Sequence, residues 1–197
     1  MEQMFEIRWH GRGGQGAKTA ALLFGEAAVS TGKYIQAFPE YGPERMGAPV
    51  SSFNRISSSP IRIHSGIENP DVVVVLDVSL IEQVNILDGL DPEKGILIVN
   101  TSEKPEEIKK RLNFNGNVYT IDATKISIET IGRDIPNTPM MGALVKVTGI
   151  LDIKELLEDT KKKLEVKFRH KPEVIEGNLK AIERAYNEVV GIGSVKK

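Results

Sequence analysis

The chain has 197 residues, 40% of them hydrophobic, with 26 Lys and Arg set against 27 Asp and Glu. That size supports one domain with a continuous core, and the even charge balance excludes a polyanion as main partner, since no basic footprint is present. With no cysteine in the chain, disulfides, thiolate catalysis and cysteine-ligated zinc or iron–sulphur clusters are excluded together, so electrons in any redox reaction must pass through another chain or a bound organic cofactor.

Residues 5–9 alternate apolar and polar side chains and read as a first strand, entered directly from Met1 with no signal-peptide pattern. A tight loop at 10–16 follows, then an Ala- and Leu-rich helix over 17–30 that stops at Thr31-Gly32. Residues 33–38 form a second strand ended by Pro39, and 40–49 a Pro/Gly-rich loop. Strands are expected at 50–56 and 60–64, paired around Ser57-Ser58-Ser59. The β-branched run at 71–77 predicts a strand buried on both faces in a parallel sheet, followed by a short helix capped by Ser79. Strands at 95–99 and 117–121 and helices at 104–112, 123–131, 140–151, 153–163 and 173–190 complete the chain. Such alternation defines an α/β fold: a doubly wound, mostly parallel Rossmann-like sheet with helices on both faces. The core is expected over 1–150 and a C-terminal helical segment over 151–197 of one domain. No apolar stretch approaches the roughly 18 residues a membrane span needs, and the expected location is the cytoplasm.

Gly11, Arg12, Gly13, Gly14, Gln15 and Gly16 satisfy G-x-G-x-x-G between a first strand and a first helix. Glycines allow a close backbone approach, and the helix N-terminus offers free N–H groups and a favourable dipole to a phosphate. The bland alternative is that the glycines only let the helix pack against the sheet. A nicotinamide enzyme should also carry an acid at the end of its second strand, but that strand ends Gln36-Ala37-Phe38-Pro39 with Glu40 beyond the proline. Lys18 follows Gly16 after one residue, so the Walker spacing for ATP is absent.

Several linked segments carry a resemblance. Residues 11–20 (GRGGQGAKTA) and 38–50 (FPEYGPERMGAPV), with Phe53-Asn54-Arg55-Ile56, the 71–77 strand and the 136–143 segment (PNTPMMGA), resemble the gamma subunit of pyruvate:ferredoxin oxidoreductase, of the 2-oxoacid:ferredoxin oxidoreductase family. The resemblance covers most of the chain. It implies a complex that converts pyruvate and coenzyme A (CoA) to acetyl-CoA and CO2, reversibly, with reduction of ferredoxin. It further implies that thiamine diphosphate, Mg and [4Fe–4S] clusters belong to partner chains and that this chain alone holds none and is inactive. The loop at 11–16 is then expected to contact CoA phosphates. A branched-chain 2-oxoacid enzyme and a stand-alone dinucleotide-binding module are the rival readings.

Glu40, Tyr41, Glu44 and Arg45 share the loop that the prolines pre-order, and are expected to meet a partner subunit. No nucleic-acid or membrane partner is expected. His10, His64 and His170 lack metal-ligand spacing and read as satisfied or exposed side chains. Asn137 or Thr138 is the expected cap of a helix whose Met140 and Met141 fill a core or an interface.

Overall fold

The computed structural model describes residues 4–40 and 46–192. Its strands are β1 (Phe5–Arg12), β2 (Tyr34–Pro39), β3 (Pro49–Ser57), β4 (Val72–Val75), β5 (Ile96–Asn100), β6 (Asn117–Ile121) and β7 (Val190–Ile192). Its helices are α1 (Ala17–Ser30), α2 (Pro105–Leu112), α3 (Ala123–Ile131), α4 (Asn137–Thr148), α5 (Ile153–Lys167) and α6 (Pro172–Glu188). All seven strands join one sheet in the order β2-β3-β1-β4-β5-β6-β7. Strands β1, β4, β5 and β6 run parallel at its centre; β3 joins antiparallel on one side and β7 on the other.

Side-chain alternation along the central strands builds two cores. Ile7, Trp9, Val72, Val74, Ile98 and Tyr119 face the cluster covered by α1, α4 and α6, while Val73, Val75, Leu97, Val99 and Val118 face the cluster that holds Ile108 of α2. Val72 through Val75 are wholly buried, as an unbroken β-branched run in a double-sided sheet requires. The C-terminal helices share the first core: Leu156, Ala181, Ile182 and Ala185 lie in it.

Three local expectations are corrected. Residues 60–64 are not a strand, because β3 already has β1 on one side and β2 on the other, leaving no edge for a further hairpin partner. They run as coil across the sheet, where Arg55 of β3 donates to the carbonyls of Ile63, Ser65 and Gly66. The 3-10 turn Val78–Glu82 is capped by Asp77, whose carboxylate accepts from the Ser79 N–H, so Ser79 sits inside the turn. Helix α4 begins at Asn137, one residue past its Pro136 cap, and the Asn137 Oδ1 accepts from the Thr138 N–H at 2.8 Å. The short strand β7 was not foreseen from the sequence. Met140 and Met141 are fully buried in the core.

Candidate functional site

After β1 the chain crosses one face through α1; after β4 it crosses the other face toward β5. The crevice between the C-terminal ends of β1 and β4 is therefore the topological switch point, the place where open α/β sheets bind ligands. The glycine loop lies on its β1 side and Asp77 to Ser79 on its β4 side.

Strand β1 runs further than its alternation suggested and includes Gly11 and Arg12, which pair with Val50 and Pro49 of β3. The loop proper is Gly13 to Gly16. The Gly13 N–H donates to the Ala48 carbonyl at 2.9 Å and the Gly47 N–H to the Gly13 carbonyl at 3.1 Å, tying the loop to the segment ahead of β3. Gly16 caps α1 at φ 84, a left-handed conformation that glycine adopts without cost. It brings no side chain to the cap, so no N-cap side chain occupies the first-turn N–H groups of α1.

Two further features crowd this mouth. Asn137, 7% exposed at the start of α4, is so close to Gly16 that a Cβ there would lie 2.7 Å from its Nδ2. Two helix N-termini thus meet, with an amide donor between them, and both dipoles favour an anion. The side chains of Arg12 and Gln15 turn to protein groups. Gln15 Oε1 accepts from the Arg12 N–H and its Nε2 donates to Asp77 Oδ2, each at 2.8 Å. Arg12 donates from Nε to Asp77, from Nη1 to the Gly47 carbonyl and from Nη2 to the Ser79 hydroxyl. Sequence reasoning missed Asp77 and Asn137 as members of the site. Their only local signal was position, at the end of a buried strand and the start of a buried helix.

Of the four residues expected on the partner-facing loop, Glu40 is exposed at the end of β2, where its N–H donates to the Ser51 carbonyl at 2.9 Å. Tyr41, Glu44 and Arg45 lie outside the described residues. Met46 bridges to Gly13 and is 92% exposed, an apolar side chain standing free beside the loop. The acid of a nicotinamide site has no place here, because β3 stands between β2 and β1 and carries the end of β2 away from the glycine loop.

Below the loop on the α2 side, Arg8 and His10 are both buried. Arg8 donates from Nε to His10 Nε2 at 3.0 Å and from Nη2 to the carbonyls of Ile86 and Asp88. Burial, aided by the Arg8 charge, pushes the His10 pKa down to about 4. His64 and His170 are exposed. In an unfolded chain His10 titrates near its ordinary value, about 6.5. Between that pH and about 4 the unfolded state binds the extra proton, so stability is fully present above the window and falls as the pH drops through it. Denaturant titrations at pH 7 and pH 4.5 are expected to differ by about 2 kcal/mol more in the native chain than in His10→Asn. Equal pH dependence in the two would mean that His10 does not titrate apart from the bulk.

No described helix is long and apolar enough to cross a membrane. What the fold and the site define is an α/β domain whose glycine loop and α1 N-terminus lie at a sheet switch point, beside the buried start of α4. The chain belongs to the pyruvate ferredoxin/flavodoxin oxidoreductase family, whose profile covers residues 6–188. It is 52% identical over 190 residues to pyruvate synthase subunit PorC of Thermotoga maritima, covering 95% of this chain and 96% of that one. Its identity is 46% to the common gamma subunit of the pyruvate/ketoisovalerate oxidoreductases of Thermococcus kodakarensis, over 95% of this chain and 98% of that one. The crystal structure of the Thermotoga maritima pyruvate oxidoreductase subunit PORC superposes with a TM-score of 0.84, at 47% identity over 96% of this chain and 99% of that one. The expectation of a gamma-type subunit drawn from the glycine loop and the 38–50 and 136–143 segments agrees with this family.

Proposed function

We propose that this chain is the gamma subunit of a cytoplasmic pyruvate:ferredoxin oxidoreductase complex that converts pyruvate and CoA to acetyl-CoA and CO2 and reduces ferredoxin, in either direction. The observation that carries it is the full-length match to a pyruvate synthase subunit at 52% identity. A chain without cysteine cannot hold an iron–sulphur cluster by thiolates. The clusters are therefore assigned to partner chains; the likeness to the family assigns the thiamine diphosphate and its Mg there too, and the isolated subunit is expected to be inactive.

This chain's own contribution is a wall of the CoA entrance. The first-turn N–H groups of α1, uncapped by any side chain of Gly16, the Asn137 amide and the glycine-lined approach supply donors without bulk, which is what a phosphate on a flexible substrate needs. Arg12 and Gln15 contribute by shaping Gly11 to Gly16. Glu40, Tyr41, Glu44, Arg45 and the exposed Met46 are assigned to contact with a thiamine- or cluster-bearing subunit. Met is suited to that task because its unbranched thioether adapts to an imperfect surface.

An anaerobic pull-down at native expression tests the complex. Co-purifying thiamine diphosphate, iron and pyruvate- and CoA-dependent dye reduction support it; a lone chain that binds NAD sinks it. The CoA contact has its own test in Gly16→Ala. An added Cβ would sit at φ 84 and press on Asn137. The apparent KM for CoA is expected to rise about tenfold or more, with the KM for pyruvate little changed.

A second reading has its own support. One relative serves as the common gamma subunit of pyruvate and ketoisovalerate enzymes. Under this reading the chain is shared between two complexes, and its pull-down yields two sets of partners whose activities separate on pyruvate and on branched 2-oxoacids.

A further inference from the structure

Asp77 holds a position that the proposed reaction does not by itself explain. It follows the fully buried β4 and faces the glycine loop across the switch point. Its carboxylate accepts four hydrogen bonds. Oδ2 takes the Arg12 Nε at 3.0 Å and the Gln15 Nε2 at 2.8 Å; Oδ1 takes the Ser79 N–H at 2.9 Å and the Ser79 hydroxyl at 2.6 Å. The Arg12–Asp77 pair is four-fifths buried, with side chains 20% and 21% exposed. Burial pushes the carboxyl pKa up, but the bonds from Ser79 and Gln15 and the Arg12 charge outweigh it and hold it below its ordinary range.

The consequences reach beyond a single ion pair. Held by Asp77, Gln15 turns its Oε1 to the Arg12 N–H and closes the inside of the loop. Arg12, held at Nε, places Nη1 on the Gly47 carbonyl and Nη2 on the Ser79 hydroxyl. One carboxylate thus joins three segments that are distant in sequence: the glycine loop, the turn after β4 and the approach to β3. It also keeps the guanidinium out of the mouth of α1.

We propose that Asp77 is a positioning residue that fixes the glycine loop and the 46–50 segment in the shape that admits the phosphates of CoA. The proposal rests on the CoA reading of the loop. It assigns no proton transfer and no direct substrate contact to Asp77. Its role is to hold the loop ready, so that the ligand does not have to order it on arrival.

The test uses the purified multi-subunit enzyme carrying Asp77→Asn. The amide keeps the shape but has one oxygen and one N–H2 group, so either Ser79 or the Arg12–Gln15 pair meets a donor instead of an acceptor. Ser79→Ala is the milder second variant, which keeps the carboxylate and removes the hydroxyl with its bonds to Asp77 and Arg12. Amide hydrogen exchange followed by peptide is expected to quicken in residues 11–16 and 46–50 in both variants. The apparent KM for CoA is expected to rise about tenfold in Asp77→Asn, less in Ser79→Ala, with the KM for pyruvate steady. Unchanged exchange in both segments overturns the clamp whatever the kinetics show. Faster exchange with an unmoved CoA constant keeps the clamp and overturns the CoA reading on which the proposal rests. A KM for CoA that falls would overturn the positioning role, because Asp77 would then be competing with the phosphate for Arg12.

Discussion

Replacing Arg55 with methionine is expected to lower the stability of the chain by about 3 kcal/mol, near the low end for breaking a buried ion pair. Arg55 is 2% exposed in the middle of a cross-strand row, with Glu6 opposite it on β1 and Gln36 opposite it on β2. It donates to Glu6 Oε1 at 2.6 Å and to Gln36 Oε1 at 2.8 Å. Its remaining donors hold the coil at 63–66 by three main-chain carbonyls. A methionine fills the volume but leaves a half-buried Glu6 without its cation and frees the coil. Denaturant unfolding should show the loss as a lower midpoint, and peptide exchange should place it in residues 60–66. Adding Glu6→Gln to the variant should recover part of it, because the isolated carboxylate is then gone. A loss below about 1 kcal/mol would mean that water replaces the guanidinium at little cost and that the row is solvent-like.

Gly142→Ala is expected to cost about 3 kcal/mol, at the upper end for overpacking. Gly142 sits on α4 where that helix crosses α6. A Cβ there would lie 2.1 Å from the Ile182 carbonyl oxygen and 2.9 Å from its carbon. Both are main-chain atoms, so no rotamer change relieves the clash and the helices must separate. Helix α4 is buried along nearly its whole length, and moving it disturbs the packing around Met140, Met141 and Leu144. For a chain of this size the loss corresponds to a melting temperature lower by about 10 °C. Because Asn137 starts the same helix, its contact with Gly16 should loosen as well, and a raised KM for CoA in the assembled enzyme is the functional readout. A variant with native melting behaviour would show that α4 and α6 can part without penalty.

The sequence by itself determined much of this protein. The β-branched run before Asp77 had to be an interior parallel strand, because no polar side chain interrupts four consecutive valines that face both layers. The helix at 17–30 was legible to the residue, since its Ala/Leu content begins after Gly16 and ends at Thr31-Gly32. The absence of cysteine left this chain without a thiolate that could ligate an iron–sulphur cluster. The glycine loop was visible as a motif because its spacing is local.

What only the tertiary structure decided depends on pairing between distant segments. Periodicity reports that a segment is extended; it does not report which neighbour it takes. Residues 60–64 have strand-like composition, but both edges of β3, their expected hairpin partner, are taken by β1 and β2, whereas Val190 to Ile192 are short and glycine-containing and form β7 because β6 offers an edge. Gly191 fits there since a Cβ would lie 1.9 Å from the Tyr119 ring. The second strand in sequence is the outermost in the sheet, which removes the nicotinamide geometry that a sequence motif alone would leave open. The site is of the same kind. Asp77 lies 65 residues from Arg12, and Asn137 lies far along the chain from the Gly16 it touches. Those contacts exist because β1 and β4 lie side by side and α4 packs beside α1, an arrangement set by burial of two hydrophobic layers and not by any local pattern.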